Sequence, residues 1–222
     1  MVKRQRSRPR TPRGVRDVKR LPAWDVVFEV EGKTEERYLS ALQQSRYDHR
    51  LVLKSEAPKN ASSLFNLIKA ARRSEKDHRG SHIWIICDTD ENSAHREALE
   101  SWLRESEYHH IALIHPSIEY WLLEHLCDAA SPQNARQATE ALKARMPEYR
   151  KGASLSSVTD GIDKACERER KRWNSAGQPD LWGGSTGTTC HLMIGFLDEL
   201  AQKHEREEKL LKEKGWALRL QR

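Results

Sequence analysis

The strongest constraint on the fold is an alternation of apolar segments with amphipathic helical segments. The stretch HIWIICD, residues 82–88, contains an uninterrupted apolar run at residues 83–87, which is typical of a strand buried on both faces of a parallel sheet. Residues 24–32, 50–54 and 110–115 also predict strands, and helical periodicity follows each of the four. This alternation predicts an α/β fold with a mainly parallel four-stranded sheet flanked by helices.

The remainder of the chain carries no further strand pattern. Helical periodicity marks residues 134–146, 155–173 and 190–215. We therefore expect an N-terminal arm at residues 1–22, an α/β domain at residues 23–130, and a helical C-terminal region at residues 131–222 that packs on this domain.

Positive charge is concentrated in the arm. Its first 20 residues hold nine Lys or Arg against one acid, a net charge of +8, so the other 202 residues carry −2 of the chain's +6. Few apolar residues and several Pro and Gly predict disorder. Such arms neutralise nucleic-acid phosphates, and the candidate contacts are Arg4, Arg6, Arg8, Arg10 and Arg13. The alternative is a tail that only keeps the protein soluble.

Several patterns bear on location. No apolar run is long enough to span a membrane, and the basic N-terminus lacks the apolar segment of a signal peptide. The four cysteines are widely spaced, without a CxxC motif. We therefore expect reduced thiols, a cytoplasmic location and no membrane partner.

Acidic residues gather where the predicted strands end. Glu31 ends the first strand, Asp88 and Asp90 end the third, and Glu35 and Glu119 lie in the first turns of the following helices. Open parallel sheets bind ligands at the carboxyl ends of their strands, so we expect these five acids on one rim. Converging carboxylates repel one another, and a hard cation such as Mg²⁺, with Mn²⁺ as the alternative, cancels that charge. The pattern predicts a metal site, with Glu31, Asp88 and Asp90 as its catalytic members.

Each of these acids also has a purely structural interpretation. Asp90 is suited to cap the next helix, while Glu35 and Glu119 are acids of the kind that stabilise a first helical turn. Glu29 is an additional acidic residue on the first predicted strand. We expect it to be a partly exposed or salt-bridged strand residue outside the site.

Three further side chains are candidates for substrate contact. Lys33 lies in the turn before the first helix, where backbone N–H groups also attract phosphate, and its alternative is an exposed turn lysine. His191 follows TGTT and is a candidate phosphate contact. His115, at the end of the fourth strand, is a candidate base.

At family level, VFEVEGKTEERYL at residues 27–39, followed by DTD 57 positions after Glu31, resembles the TOPRIM domain of topoisomerases, primases and overcoming-lysogenization-defect nucleases. More closely, the basic arm with EGKTE, DTDEN, HPSIEYWLLEHL and STGTTCHLMIGFLDEL resembles the RloB family, whose members are encoded beside restriction and other antiphage systems. The resemblance implies a TOPRIM-like fold that holds Mg²⁺. It matches Glu31 to the family's glutamate and Asp88 and Asp90 to its DxD motif. Glu35 matches the second acid of nuclease-type TOPRIM domains, and Glu119 matches the acid of the RloB PxxExWLL segment.

These patterns together predict a metal-dependent phosphodiester hydrolase. We expect a nuclease acting on DNA or RNA, with tRNA among the candidates, in antiphage defence, with a co-encoded protein such as an ATPase as a partner. One alternative is a TOPRIM module that binds nucleic acid or a partner without cleavage. Another is a phosphatase of the haloacid dehalogenase type, but that class places DxD after its first core strand and prefers Thr or Val where this chain has Asn92.

Overall fold

The computed structural model describes residues 24–56, 63–89, 93–128 and 131–213. The strands in these ranges are β1 (Trp24–Val30), β2 (Leu51–Glu56), β3 (His82–Asp88), β4 (His109–His115) and β5 (Gly187–Thr188). The helices are α1 (Lys33–Ser45), α2 (Leu64–Asp77), α3 (Arg96–Arg104), α4 (Ile118–Leu126), α5 (Ala135–Arg145), α6 (Ile162–Ala176) and α7 (Cys190–Glu213). Short 3₁₀ turns occur at Ser93–His95 and Thr159–Gly161.

The sheet has the strand order β2-β1-β3-β4-β5. β1 to β4 run parallel, which confirms the predicted α/β class with its mainly parallel sheet. The prediction of four strands is wrong, because the sheet has a fifth strand among the described residues. This strand, β5, pairs antiparallel with β4, where Gly187 lies opposite His115. A strand of two residues in a Gly- and Thr-rich segment is too short to show any periodicity, so its pairing with β4 is a tertiary effect.

Alternate side chains of β1, β3 and β4 enter two different cores. Val26, Phe28 and Val30 of β1 join the larger cluster, which the C-terminal helices complete with residues such as Met193. Val27 joins a smaller cluster with side chains of α2 and α3. This alternation follows from the two-residue repeat of a strand, and it buries both faces of the sheet.

The C-terminal region is helical as expected, with α5, α6 and α7 close to the predicted segments. The larger cluster joins side chains from both sides of residue 130, and that domain boundary stays a prediction. The predicted arm lies outside the described residues. None of the described helices has the length and apolar character needed to cross a membrane.

Glu29 does not lie where the sequence suggested. It is fully buried in β1, and Ser74 of α2 donates a 2.6 Å hydrogen bond to its Oε1. The expectation of a partly exposed or salt-bridged residue is wrong, because α2 covers this face of the sheet. Burial raises the pKa of Glu29 from its usual 4.5 to about 7, and nearby Glu56 adds to the rise.

Candidate active site

The strand order places two predicted acids beside each other. The chain leaves β1 toward β2 on one side and continues to β3 on the other, so the carboxyl ends of β1 and β3 flank a topological switch point. Glu31 directly follows β1 and Asp88 ends β3. Such a switch point is the usual ligand crevice of an open parallel sheet. Both side chains line one cavity of about 600 Å³.

Glu35 reaches the same cavity from the first turn of α1. Gly32 is the N-cap residue of this helix and also lines the cavity. The backbone N–H groups of Gly32 and of Glu35 itself lie close enough to the Glu35 carboxylate to lower its pKa, against the effect of burial. Glu35 therefore lies in the first turn of α1 and also lines the cavity, and its role as a metal ligand stays a prediction.

Glu119 is the fourth acid of the cavity, and two hydroxyl groups hold it in place. Ser117, the N-cap residue of α4, donates a 2.7 Å hydrogen bond to Oε2. Tyr149, from the segment after α5, donates a 2.8 Å hydrogen bond to Oε1. Only 3% of Glu119 is exposed, so these two bonds fix the orientation of a buried carboxylate. No pattern around Tyr149 in the sequence indicated this contact.

The four acids share one electrostatic environment. The pKa of Asp88 is raised well above its usual range, first by burial and then by the charges of Glu31, Glu35 and Glu119. Burial also raises the pKa of Glu35, and Glu119 adds to that shift. Lys151 opposes both shifts without cancelling them. The repulsion among these carboxylates is therefore relieved either when some of them are protonated or when a cation binds in the cavity.

The donor atoms of this cavity are of the chemical type that binds a hard divalent cation. All four acids offer carboxylate oxygen, which Mg²⁺ prefers, and their mutual repulsion is the kind that a cation relieves. Among the described residues, however, no three His, Cys, Asp or Glu side chains come together in a group that could hold a metal ion. Asp90, the remaining predicted ligand, lies outside the described residues. The metal assignment thus stays a prediction that depends on Asp90 as well.

Positive side chains line the same cavity. Lys33 was predicted from its place before α1, whereas Arg136 of α5 and Lys151 after α5 were not. All three are exposed. In the sequence Arg136 and Lys151 resemble any surface cation, because only the packing of α5 beside α4 brings them to the rim.

Two histidines considered as candidates lie away from the cavity lining. His191 is 3% exposed, packs edge-on against Trp173 with ring centroids 4.6 Å apart, and hydrogen-bonds the Thr188 carbonyl through Nδ1. His115 is buried, and its Nδ1 lies 2.9 Å from Oγ1 of Thr89. Neither side chain lines the cavity that contains the acids. The arm arginines predicted to bind nucleic acid, from Arg4 to Arg13, lie outside the described residues.

Comparison with known protein families identifies a match. The family model described as RloB-like protein matches residues 26–197, a range that includes every acid and cation of the cavity named above. No curated protein and no solved structure matches the chain.

Proposed function

Because the chain belongs to the RloB-like family, we propose that it is a metal-dependent phosphodiester hydrolase of the TOPRIM type. The observation that carries this proposal is the meeting of Glu31, Glu35, Asp88 and Glu119 in one cavity at the switch point of a parallel sheet. A nuclease acting in antiphage defence, on DNA or RNA, is the form of this activity that we propose.

In this proposal Glu31, Asp88 and Asp90 would hold a Mg²⁺ or Mn²⁺ ion. The ion, when bound, supplies positive charge that offsets the carboxylates and stabilises the charge that builds up on a phosphate. Asp88 is suited to this role because burial and its acidic neighbours disfavour its ionised form until a cation arrives.

Glu35 is the residue that we propose takes the proton of the attacking water. Glu35 lines the same cavity as Glu31 and Asp88, and burial raises the pKa of its carboxylate, which makes it a stronger base than an exposed glutamate. The water oxygen would form the new bond to phosphorus as its proton passes to Glu35. The bond to the leaving sugar oxygen would break, and that oxygen would keep the bonding electron pair and take a proton from solvent water. Glu119 is held by Ser117 and Tyr149, and its proximity to Glu35 adds to the raised pKa of that residue.

The direct test is cleavage of nucleic acid by the purified protein. Mixed DNA and RNA substrates, tRNA included, are incubated with Mg²⁺, with Mn²⁺, or with a chelator. We expect products only with a divalent ion, and none with the Asp88→Asn variant. Asp77→Asn is the matched control, since Asp77 is exposed at the end of α2. Cleavage that persists in Asp88→Asn would contradict the proposal.

A second candidate is a module that binds nucleic acid or a partner without cleaving it. The observation that favours it is that the described residues bring no three metal-ligating groups together. The same experiment separates the two functions. Binding without products under every metal condition, and equal binding by Asp88→Asn, would favour the module. A co-encoded defence protein such as an ATPase is the partner that we would add to the reaction next.

A further inference from the structure

The acids of the cavity are accompanied by three exposed cations, which we call the basic rim: Lys33, Arg136 and Lys151. They come from three places in the chain, namely the start of α1, the first turn of α5 and the segment after α5. The acids are more buried, with Glu35 and Glu119 both below one tenth exposed. The cavity therefore joins buried negative groups to an outer border of positive ones.

Lys151 is held close to these acids by its neighbours in the chain. The Tyr149 hydroxyl donates a hydrogen bond to Glu119, and the Thr34 side chain of α1 lies close enough to that hydroxyl to lower its pKa. Residues 150–153 form a turn that the Ala153 N–H closes on the Arg150 carbonyl at 2.9 Å. The backbone next to Lys151 is thus pinned at both ends of a short segment, which limits the region that its ammonium group can reach.

Gly152 brings the same segment against Lys33. Its φ of +78° lies in the left-handed region that favours glycine. A Cβ atom at this position would lie 3.6 Å from the Cβ of Lys33, so the backbone after Lys151 passes directly over that lysine. The two lysines therefore border the cavity side by side although 118 positions separate them in the chain.

Lys151 acts electrostatically on the acids without forming a salt bridge with them. It is the cation that opposes the raised pKa of both Asp88 and Glu35. Neither Lys151 nor Lys33 takes part in the salt bridges that join the described residues. A lysine that served only as a counter-ion for the acids would pair with one of them directly. This one remains exposed, where an incoming anion can contact it.

We propose that the basic rim binds backbone phosphates of a nucleic-acid strand, and that Lys151 contacts the phosphate closest to the acids. This inference rests on the proposed function for the chemical class of the substrate. Several cations spread around one cavity suit a polyanion better than a single small anion, and a lysine ammonium is a common phosphate contact. The role assigned to Lys151 concerns binding, and it does not require that the bound strand be cleaved.

The test is binding of a nucleic-acid strand in the absence of divalent ions. A short fluorescent single-stranded RNA of mixed sequence, and the DNA of the same sequence, are titrated with the full chain in chelator over a salt series. In Lys151→Gln we expect affinity to fall about tenfold at fixed salt, which corresponds to one charge-assisted contact. The log–log salt slope should decrease by about 0.7, the value for one contact on a single strand.

Two variants serve as controls. Lys143→Gln removes an equal charge from an exposed position of α5 outside the cavity lining, and it should bind like the unchanged protein. Lys151→Arg keeps the charge and should restore the slope. Because every variant retains the arm, any contribution of the arm to binding is the same in all of them.

The outcomes separate this inference from the proposed function. If Lys151→Gln and Lys143→Gln bind alike, the inference is overturned even when the protein cleaves nucleic acid. If Lys151→Gln alone binds weakly while the unchanged protein cleaves nothing with Mg²⁺ or Mn²⁺, the inference stands and the hydrolase proposal fails. Failure of the unchanged protein to bind either strand overturns the inference as well.

Discussion

The hydroxyl of Tyr149 lies 2.8 Å from Oε1 of Glu119 and donates a hydrogen bond to it. This contact links the segment after α5 to the first turn of α4, and so joins the C-terminal part of the chain to the acids at the sheet edge. Glu119 is nearly fully buried, and its second oxygen accepts from Ser117. A carboxylate in this position depends on both donors, because water cannot easily replace either of them.

Removal of this hydroxyl should destabilise the protein. In Tyr149→Phe, Oε1 of Glu119 loses its donor, and we expect the free energy of unfolding to fall by about 1–3 kcal/mol, the range for a buried acceptor left unsatisfied. Chemical denaturation at neutral pH measures the change. Tyr108→Phe is the control, because Tyr108 is 41% exposed and its replacement should have little effect. Equal stability of Tyr149→Phe and the unchanged protein would argue against the contact.

Divalent metal should stabilise the native protein through Asp88. A ligand that binds only the folded state adds about 2.7 kcal/mol at a hundredfold excess over its Kd, so Mg²⁺ or Mn²⁺ should raise the Tm. Asp88→Asn keeps the size of the side chain but removes its charge, and the shift should disappear. Thermal melting with and without metal provides the measurement, and Asp77→Asn should keep the full shift. A full metal shift in Asp88→Asn would remove Asp88 from the ligand set.

Glu29 should make stability depend on pH. Its pKa is about 7 in the folded protein against 4.5 for an ordinary glutamate, so the folded state binds more protons than the unfolded state between these values. Stability attributable to Glu29 is therefore present below about pH 4.5 and is lost as the pH rises through about 7. Unfolding free energies measured across this window should decline less steeply in Glu29→Gln than in the unchanged protein.

The control for this pH series is Glu148→Gln, which changes an exposed glutamate. It should reproduce the slope of the unchanged protein, because its side chain is in contact with solvent in the folded as well as in the unfolded protein. An unchanged slope in Glu29→Gln would mean that Glu29 is ionised in the folded protein at acidic pH, contrary to its burial beside Glu56.

The arm should contribute affinity but not chemistry. Deletion of residues 1–20 removes a net charge of +8 and should weaken nucleic-acid binding and flatten its salt dependence by about 0.7 per lost contact on a single strand. Cleavage of a short oligonucleotide at saturating concentration should persist, because the acids lie between residues 31 and 119. Binding across a salt series and cleavage rates at saturation are the two measurements.

A full-length control separates charge from length in the arm. Replacing its five candidate arginines with glutamine keeps the segment but removes their charge, namely at Arg4, Arg6, Arg8, Arg10 and Arg13. This variant should bind nearly as weakly as the deletion. Salt slopes equal to that of the unchanged protein in both variants would mean that the arm only keeps the protein soluble.

The element order and the place of the acids could be inferred from the sequence, for local reasons. The continuous apolar run at residues 83–87 required a strand covered on both faces, and helical periodicity on either side required crossovers between parallel strands. In a parallel sheet all carboxyl ends lie at one edge, so Glu31 and Asp88 had to lie on the same side of the sheet. The structure brings them into one cavity with Glu35 and Glu119.

Other features were decided only by contacts between distant segments. The pairing of β5 with β4, the burial of Glu29 under α2, and the hydrogen bond from Tyr149 to Glu119 each join parts of the chain that have no shared local pattern. In the sequence Lys151 resembles any surface lysine. In the structure, the turn at residues 150–153 packs over Lys33 and so places Lys151 at the cavity. Periodicity reports which face of an element is apolar, whereas the choice of partner for a polar side chain depends on the packed arrangement of all the elements around it.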